Sequence, residues 1–132
     1  MESAQRYLEA KERYPVGSED WAGATACAFN MLASEACDEV AKPEWWNDEG
    51  LKALSVRVVR AAPDYLSTNE IRAVVLAGQS SAWEVGHRSA AELKEAAMYF
   101  DRAAALQPAR EIKARYAGNA AWCRGRLETM GV

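Results

Sequence analysis

Three observations predict an all-α fold of about six helices stacked as antiparallel hairpins. Half of the 132 residues are hydrophobic, and alanine dominates that set while β-branched residues are few. Ala, Leu, Glu, Lys, Arg and Met lose little on entering a helix, so this composition favours helices packed closely through small side chains. No stretch alternates apolar and polar residues over enough positions to suggest a sheet. Finally, Pro15, Pro43, Pro63 and Pro108, with capping residues near them, divide the chain into segments whose apolar residues recur at helical spacing.

The first segment, residues 2–14, reads as a short amphipathic helix with Tyr7, Leu8 and Tyr14 as apolar contacts. Pro15-Val16-Gly17 ends it, because proline disfavours the helical conformation of the residue before it. Ser18 then caps a second helix, predicted to run from Glu19 to about Lys42, with Glu19 and Asp20 at the positive end of its dipole. Trp21, Thr25, Ala28, Phe29, Leu32, Ala36 and Val40 share one of its faces. Glu35, Asp38 and Glu39 sit unfavourably near its C-terminus, so either Arg57 or Arg60 neutralises them or they form a solvated acidic patch.

Asn47 caps a third helix over Asp48 to about Ala61, lined by Leu51, Leu54, Val58 and Ala61. Trp45 and Trp46 precede it. Adjacent residues cannot share a helix face, so at least one tryptophan anchors the loop on the body; a ligand platform is the alternative. Ser67-x-x-Glu70 reads as a capping box for a fourth helix, expected to run on to about Val85. Ser89-x-x-Glu92 reads as another, opening a fifth helix to about Leu106 with Leu93, Ala96, Ala97, Phe100, Ala103 and Ala104 inward. A sixth helix follows Pro108, from about Ala109 to Thr129.

Composition narrows the function classes. The net charge of −3 argues against a dedicated nucleic-acid binder, which shows a strong basic balance. That charge is unevenly spread: residues 1–50 carry 11 acidic and four basic side chains, residues 51–132 eight acidic and 12 basic. No apolar run approaches the roughly 18–20 residues that span a bilayer, and the charged N-terminal stretch does not read as a secretory signal. Cys27, Cys37 and Cys123 lack C-x-x-C spacing, and His87 stands alone, so neither a structural zinc site nor another cofactor is expected. An intracellular, cytoplasmic location follows as the expectation.

Three helices share a short core: Trp21-Ala22-Gly23-Ala24, Leu76-Ala77-Gly78-Gln79 and Tyr116-Ala117-Gly118-Asn119. Glycine inside a helix costs about 1 kcal/mol relative to alanine, so three at matching places suggest close approach of neighbouring helices. In the last forty residues, Ala96, Phe100, Ala103 and Pro108 match in spacing and type the second helix of a tetratricopeptide repeat, and Gly118 falls where the next unit's glycine belongs. Residues 93–126 resemble that family best; the remainder resembles a loop-extended version of it. The resemblance implies a right-handed solenoid: a cap helix over residues 1–17, hairpins over 18–62 and 67–107, and a closing helix over 109–129. The second, fourth and sixth helices would line a concave face for a peptide or partner helix.

In the family register Arg115 and Asn119 occupy groove positions, where guanidinium and amide donors converge on a carboxylate. The corresponding places on the other first helices hold Asp20 with Ala24 and Val75 with Gln79, so a complete carboxylate clamp is not expected. Trp122, Gln79 and Trp83 complete the expected binding set. No serine or cysteine nucleophile is tied to His87 by a recognisable motif, and no Gly-rich phosphate loop or metal-binding helix occurs. Cys123, beside Arg124, would have a lowered pKa if exposed. The expectation is therefore a non-enzymatic protein-interaction module without metal or cofactor. The alternative is a self-associating subunit, a weak homo-oligomer that pairs acidic N-terminal and basic C-terminal surfaces.

Overall fold

The computed structural model describes residues 8–35 and 43–131, and every regular element among them is helical. Residues 8–12 form α1, followed by α2 (Glu19–Glu35), α3 (Asp48–Ala61), α4 (Leu66–Ala77), α5 (Ala90–Leu106) and α6 (Arg110–Thr129). Tyr7, the extension of α2 to Lys42 and the pairing of its terminal acids with Arg57 or Arg60 lie outside the described residues. Arg57 itself stands over the Trp21 ring, 5.5 Å from its centroid, a cation–π contact.

Local chemistry accounts for most helix ends. Ser18 accepts a hydrogen bond from the Trp21 amide at 3.1 Å, and Asn47 accepts one from the Gly50 amide at 2.8 Å. Ser89 and Glu92 form a complete capping box on α5. The Ser67-x-x-Glu70 box does not form. The fourth helix instead starts at Leu66, with Tyr65 as an N-cap that gives no side-chain bond. The reason lies in the turn before it. Thr68 donates its hydroxyl to the Ala62 carbonyl, and Asn69 donates to the carbonyls of Pro63 at 2.9 Å and Tyr65 at 2.7 Å. These buried side chains hold the turn and set the register of α4.

The expected run of the fourth helix to Val85 is also corrected. It stops at Ala77, and Gly78 takes the left-handed conformation at φ +67° as its C-cap, a position that favours glycine. Residues 79–89 then form an irregular connection. Gly78 is therefore a terminator, not a site of helix contact. Gly118 does not match it either: a Cβ added there would meet nothing within 4 Å. The glycines at matching sequence places have different structural roles.

Two apolar clusters share α4. The first joins Trp21 and Phe29 of α2, Leu51 and Val58 of α3, Ile71 and Val75 of α4, and Trp83 of the connection. The second joins Leu76 of α4, Leu93 and Phe100 of α5, and Tyr116, Cys123 and Leu127 of α6. Arg72, buried on α4, braces three helices. It donates to the Lys52 carbonyl and the Ser55 hydroxyl of α3, both at 3.0 Å, and pairs with Glu95 of α5 at 3.4 Å. Tyr116 of α6 donates to Glu70 of α4. Cys123 is fully buried and its thiol pKa is pushed up to about 11, burial outweighing the Arg124 charge. The sequence-based expectation of an activated thiol required exposure, and does not hold.

Candidate functional site

The connection between α4 and α5 is positioned by one carboxylate. Asp48, in the first turn of α3, accepts from Trp83 Nε1 at 2.9 Å, the Gly86 amide at 3.2 Å, and Arg88 at 2.6 and 2.8 Å. The bidentate guanidinium–carboxylate geometry is the strong form of this interaction. Arg88 holds the Asp48 carboxyl far below the usual carboxylate range; burial opposes this, and Trp83 and Gly86 add to it. Trp46 fixes the other end of the connection by donating to the Ala82 carbonyl at 2.9 Å.

This scaffold shapes a hollow of about 220 Å³ lined by Gly78, Val85, His87, Arg88, Trp122 and Arg126, with Ala77, Gly86 and Leu93 completing the wall. The end of α4, the 85–88 stretch that follows it and Leu93 of α5 meet the C-terminal half of α6 here. Gly78 is required at this place by contact as well as by backbone. A Cβ there would come within 2.8 Å of Val85 Cγ1 and 2.9 Å of Arg88 Nε.

Arg88 is only 8% exposed. Its terminal nitrogens reach Asp48, the Gly86 carbonyl and the Val75 carbonyl, whereas its Nε is buried without a hydrogen-bond partner. Arg126 is exposed and lies 5.9 Å from the Trp122 ring centroid; it has no ion pair with a described acid. His87 is exposed on the rim. The hollow thus combines an aromatic face and an unpaired cation with no carboxylate in its lining, which suits an acidic group carried on an apolar body. Its volume is below the range of about 300–1,000 Å³ usual for small-molecule sites and suits one or two residues of a polypeptide.

The residues expected from sequence fall in three places. Arg115, Asn119 and Trp122 lie on one stripe of α6, spaced by four and three positions, and Arg126 continues it by four more. Arg115 is exposed, Asn119 half-buried and Trp122 41% exposed. Gln79 is exposed one residue beyond Gly78 and does not line the hollow. Trp83 is 7% exposed and committed to Asp48, so it faces the core and not a groove. Arg88 was not among the binding residues expected from the sequence, and Arg126 was considered there only within a basic cluster interrupted by Glu111 and Glu128. The one local sign was Gly86-His87-Arg88 directly before a capping box.

A second hollow, about 320 Å³, is walled by Trp21, Trp45, Lys11, Arg57, Val16 and Leu54. Trp45 faces it, whereas Trp46 packs on Phe29 with ring centroids 5.5 Å apart. Both tryptophans pack on the first cluster, and Trp45 also forms part of the wall of this hollow. Its cations stand over its own rings, Lys11 at 5.8 Å from Trp45 and Arg57 at 5.5 Å from Trp21, as Arg126 does over Trp122, and Lys11 is also paired with Glu12 at 3.4 Å.

His87 has no serine, cysteine or carboxylate beside it in the hollow. Among the described residues no group of three or more His, Cys, Asp or Glu side chains is placed to hold a metal, and no helix is long and apolar enough to cross a membrane. Comparison with protein-family models, curated proteins and solved structures finds no match.

Proposed function

We propose that the protein is a non-enzymatic interaction module that binds a segment of a partner protein along α6, a tetratricopeptide-like arrangement of helical hairpins serving as its frame and the cytoplasm as its location. The observation that carries this reading is the stripe of Arg115, Asn119, Trp122 and Arg126. Its Trp122–Arg126 end forms the wall of the hollow. An exposed tryptophan beside an arginine without an acidic partner is the composition of an interface hot spot. The hollow would take an acidic side chain or terminal carboxylate of the bound segment, while the stripe holds its neighbouring residues. Arg88, neutralised by Asp48, shapes the wall of the hollow.

A displayed library of short random peptides tests the reading. The wild type is expected to enrich sequences with an acidic residue next to an apolar one, and Trp122→Ala/Arg126→Ala is expected to lose that enrichment. Equal enrichment by both proteins would remove α6 from the interaction.

A further inference from the structure

The hollow walled by Trp21, Trp45, Lys11 and Arg57 is assembled from α1 and the turn after it, the start of α2, and the loop that leads into α3. That loop is fixed by its backbone. Asn47 accepts from the Gly50 amide at 2.8 Å and donates to the Glu44 carbonyl at 2.9 Å. A Cβ on Gly50 would lie 2.3 Å from the Trp45 carbonyl oxygen, so this glycine lets the loop rest directly on the first turn of α3. Trp45 is thereby held at the wall, its ring centroid 6.0 Å from that of Trp46.

Two polar groups in the wall are withdrawn from water without a matching partner. The Lys11 side chain is 12% exposed, and its ion-pair partner among the described residues is its chain neighbour Glu12, 76% exposed and 3.4 Å away. A pair with so exposed a carboxylate is worth little, whereas taking an ammonium out of water is costly. Trp21 is 2% exposed, yet its indole N–H donates to no described residue. Arg57 likewise has no ion pair with a described acid. No carboxylate lines the hollow, although residues 1–50 hold 11 acidic and four basic side chains.

These features select the charge of a ligand. Indole faces attract cations, but Lys11 and Arg57 already stand over those of Trp45 and Trp21, and a cationic ligand would meet both. An anion gains charge-assisted hydrogen bonds from them, with the Trp21 indole as a further donor. Val16, Ala53 and Leu54 make the rest of the lining apolar. The volume of about 320 Å³ falls within the range of about 300–1,000 Å³ usual for small-molecule sites. We propose that this hollow binds a small aromatic carboxylate, its ring against Trp45, Val16 and Leu54 and its carboxylate met by Lys11 and Arg57. The inference goes beyond the peptide-binding reading and does not depend on it, since no residue of α6 takes part.

Titration of the isotope-labelled protein with indoleacetate, indoleacetamide and tryptamine, followed by heteronuclear NMR, tests it, because the three share a ring and differ in the charge of its arm. The acetate is expected to shift the indole N–H signals of Trp21 and Trp45 saturably and to bind about tenfold more tightly than the amide. Tryptamine is expected to bind more weakly still. Lys11→Gln and Arg57→Gln should each weaken acetate binding about tenfold and leave amide binding unchanged, which separates loss of charge from loss of fold. Trp122→Ala/Arg126→Ala should bind the acetate as the wild type does, whatever that variant does to peptide binding. Four results would each overturn the inference: an amide or amine that binds as tightly as the acetate, wild-type acetate affinity in either the Lys11 or the Arg57 variant, shifts confined to Trp122, or no saturable shift with the acetate or with benzoate, a smaller ring.

Discussion

The carboxylate of Asp48 accepts hydrogen bonds from an indole, a backbone amide and a guanidinium that lie 35 to 40 residues further along the chain. Its side chain is 14% exposed and that of Arg88 7%, so neither charge is adequately solvated without the other. Removing one partner from such a pair typically costs 3–5 kcal/mol. We expect Asp48→Asn, which keeps part of the hydrogen bonding, to lower unfolding free energy by about 2–4 kcal/mol in urea titrations. The pH dependence has a definite sign. A carboxyl whose folded pKa lies below its unfolded value of about 3.9 contributes stability that is fully present above that value and is lost as pH falls toward the folded one. Glu92 acts in the same direction, since the Lys52 and Ser89 contacts outweigh the burial that would raise its pKa. Wild-type stability should therefore decline from about pH 5 downward, and Asp48→Asn should flatten that decline. Equal slopes in the two proteins would place the acid sensitivity elsewhere. In the sequence Asp48 looked like an ordinary first-turn acid, and nothing local marked Arg88 as its partner, because a contact across 40 residues leaves no trace in spacing.

At the level of single helices, legibility followed how local the determining chemistry was. Ser89 and Glu92 cap α5 as their spacing predicts, and Asn47 caps α3. Ser67 and Glu70 have the same spacing and do not cap α4. Glu70 is engaged instead by Tyr116 of α6 and by Asn30 of α2 at 3.3 Å, while Thr68 and Asn69 satisfy the turn carbonyls and the helix begins two residues earlier. Tertiary partners thus outcompeted a motif that was correct as a local pattern. The contrast gives a paired prediction. Ser89→Ala should cost about 1 kcal/mol, the usual loss on removing an N-cap. Ser67→Ala should stay within about 0.5 kcal/mol of wild type, as surface substitutions away from special features do. Denaturant titration of the two variants side by side checks this, and comparable losses would mean that Ser67 stabilises α4 by some other contact. The same reasoning explains the glycines. Tyr116-Ala117-Gly118 and Leu76-Ala77-Gly78 share a pattern, yet one glycine lies mid-helix in open space and the other terminates a helix against Arg88.

Across the molecule, α4 is the element through which the two halves communicate, and the number and order of helices did not reveal that. Its Ile71 and Val75 point into one cluster and its Ala73 and Leu76 into the other, so neither cluster can lose α4 without exposing the second. A shared central helix makes cooperative unfolding the expected behaviour for a chain of this length. The tryptophans provide the means to test it. Trp21, Trp45, Trp46 and Trp83 all belong to or pack on the first cluster, and only Trp122 of the five lies on α6. In a Trp122→Phe background, indole fluorescence therefore reports the α2–α3–α4 half alone. Phe100, 1% exposed, fills the other cluster against Tyr116, with ring centroids 6.5 Å apart. Truncating a buried phenylalanine to alanine costs about 3–5 kcal/mol. Phe100→Ala in that background is expected to shift the tryptophan transition to lower denaturant by the full amount seen in far-ultraviolet circular dichroism. If the loss is instead confined to the α5–α6 half, the fluorescence midpoint will stay near its original position while the dichroism becomes biphasic. Coincident transitions would mean that the hollow between the 85–88 stretch and α6 persists only while the whole chain is folded, because its walls are supplied by both halves.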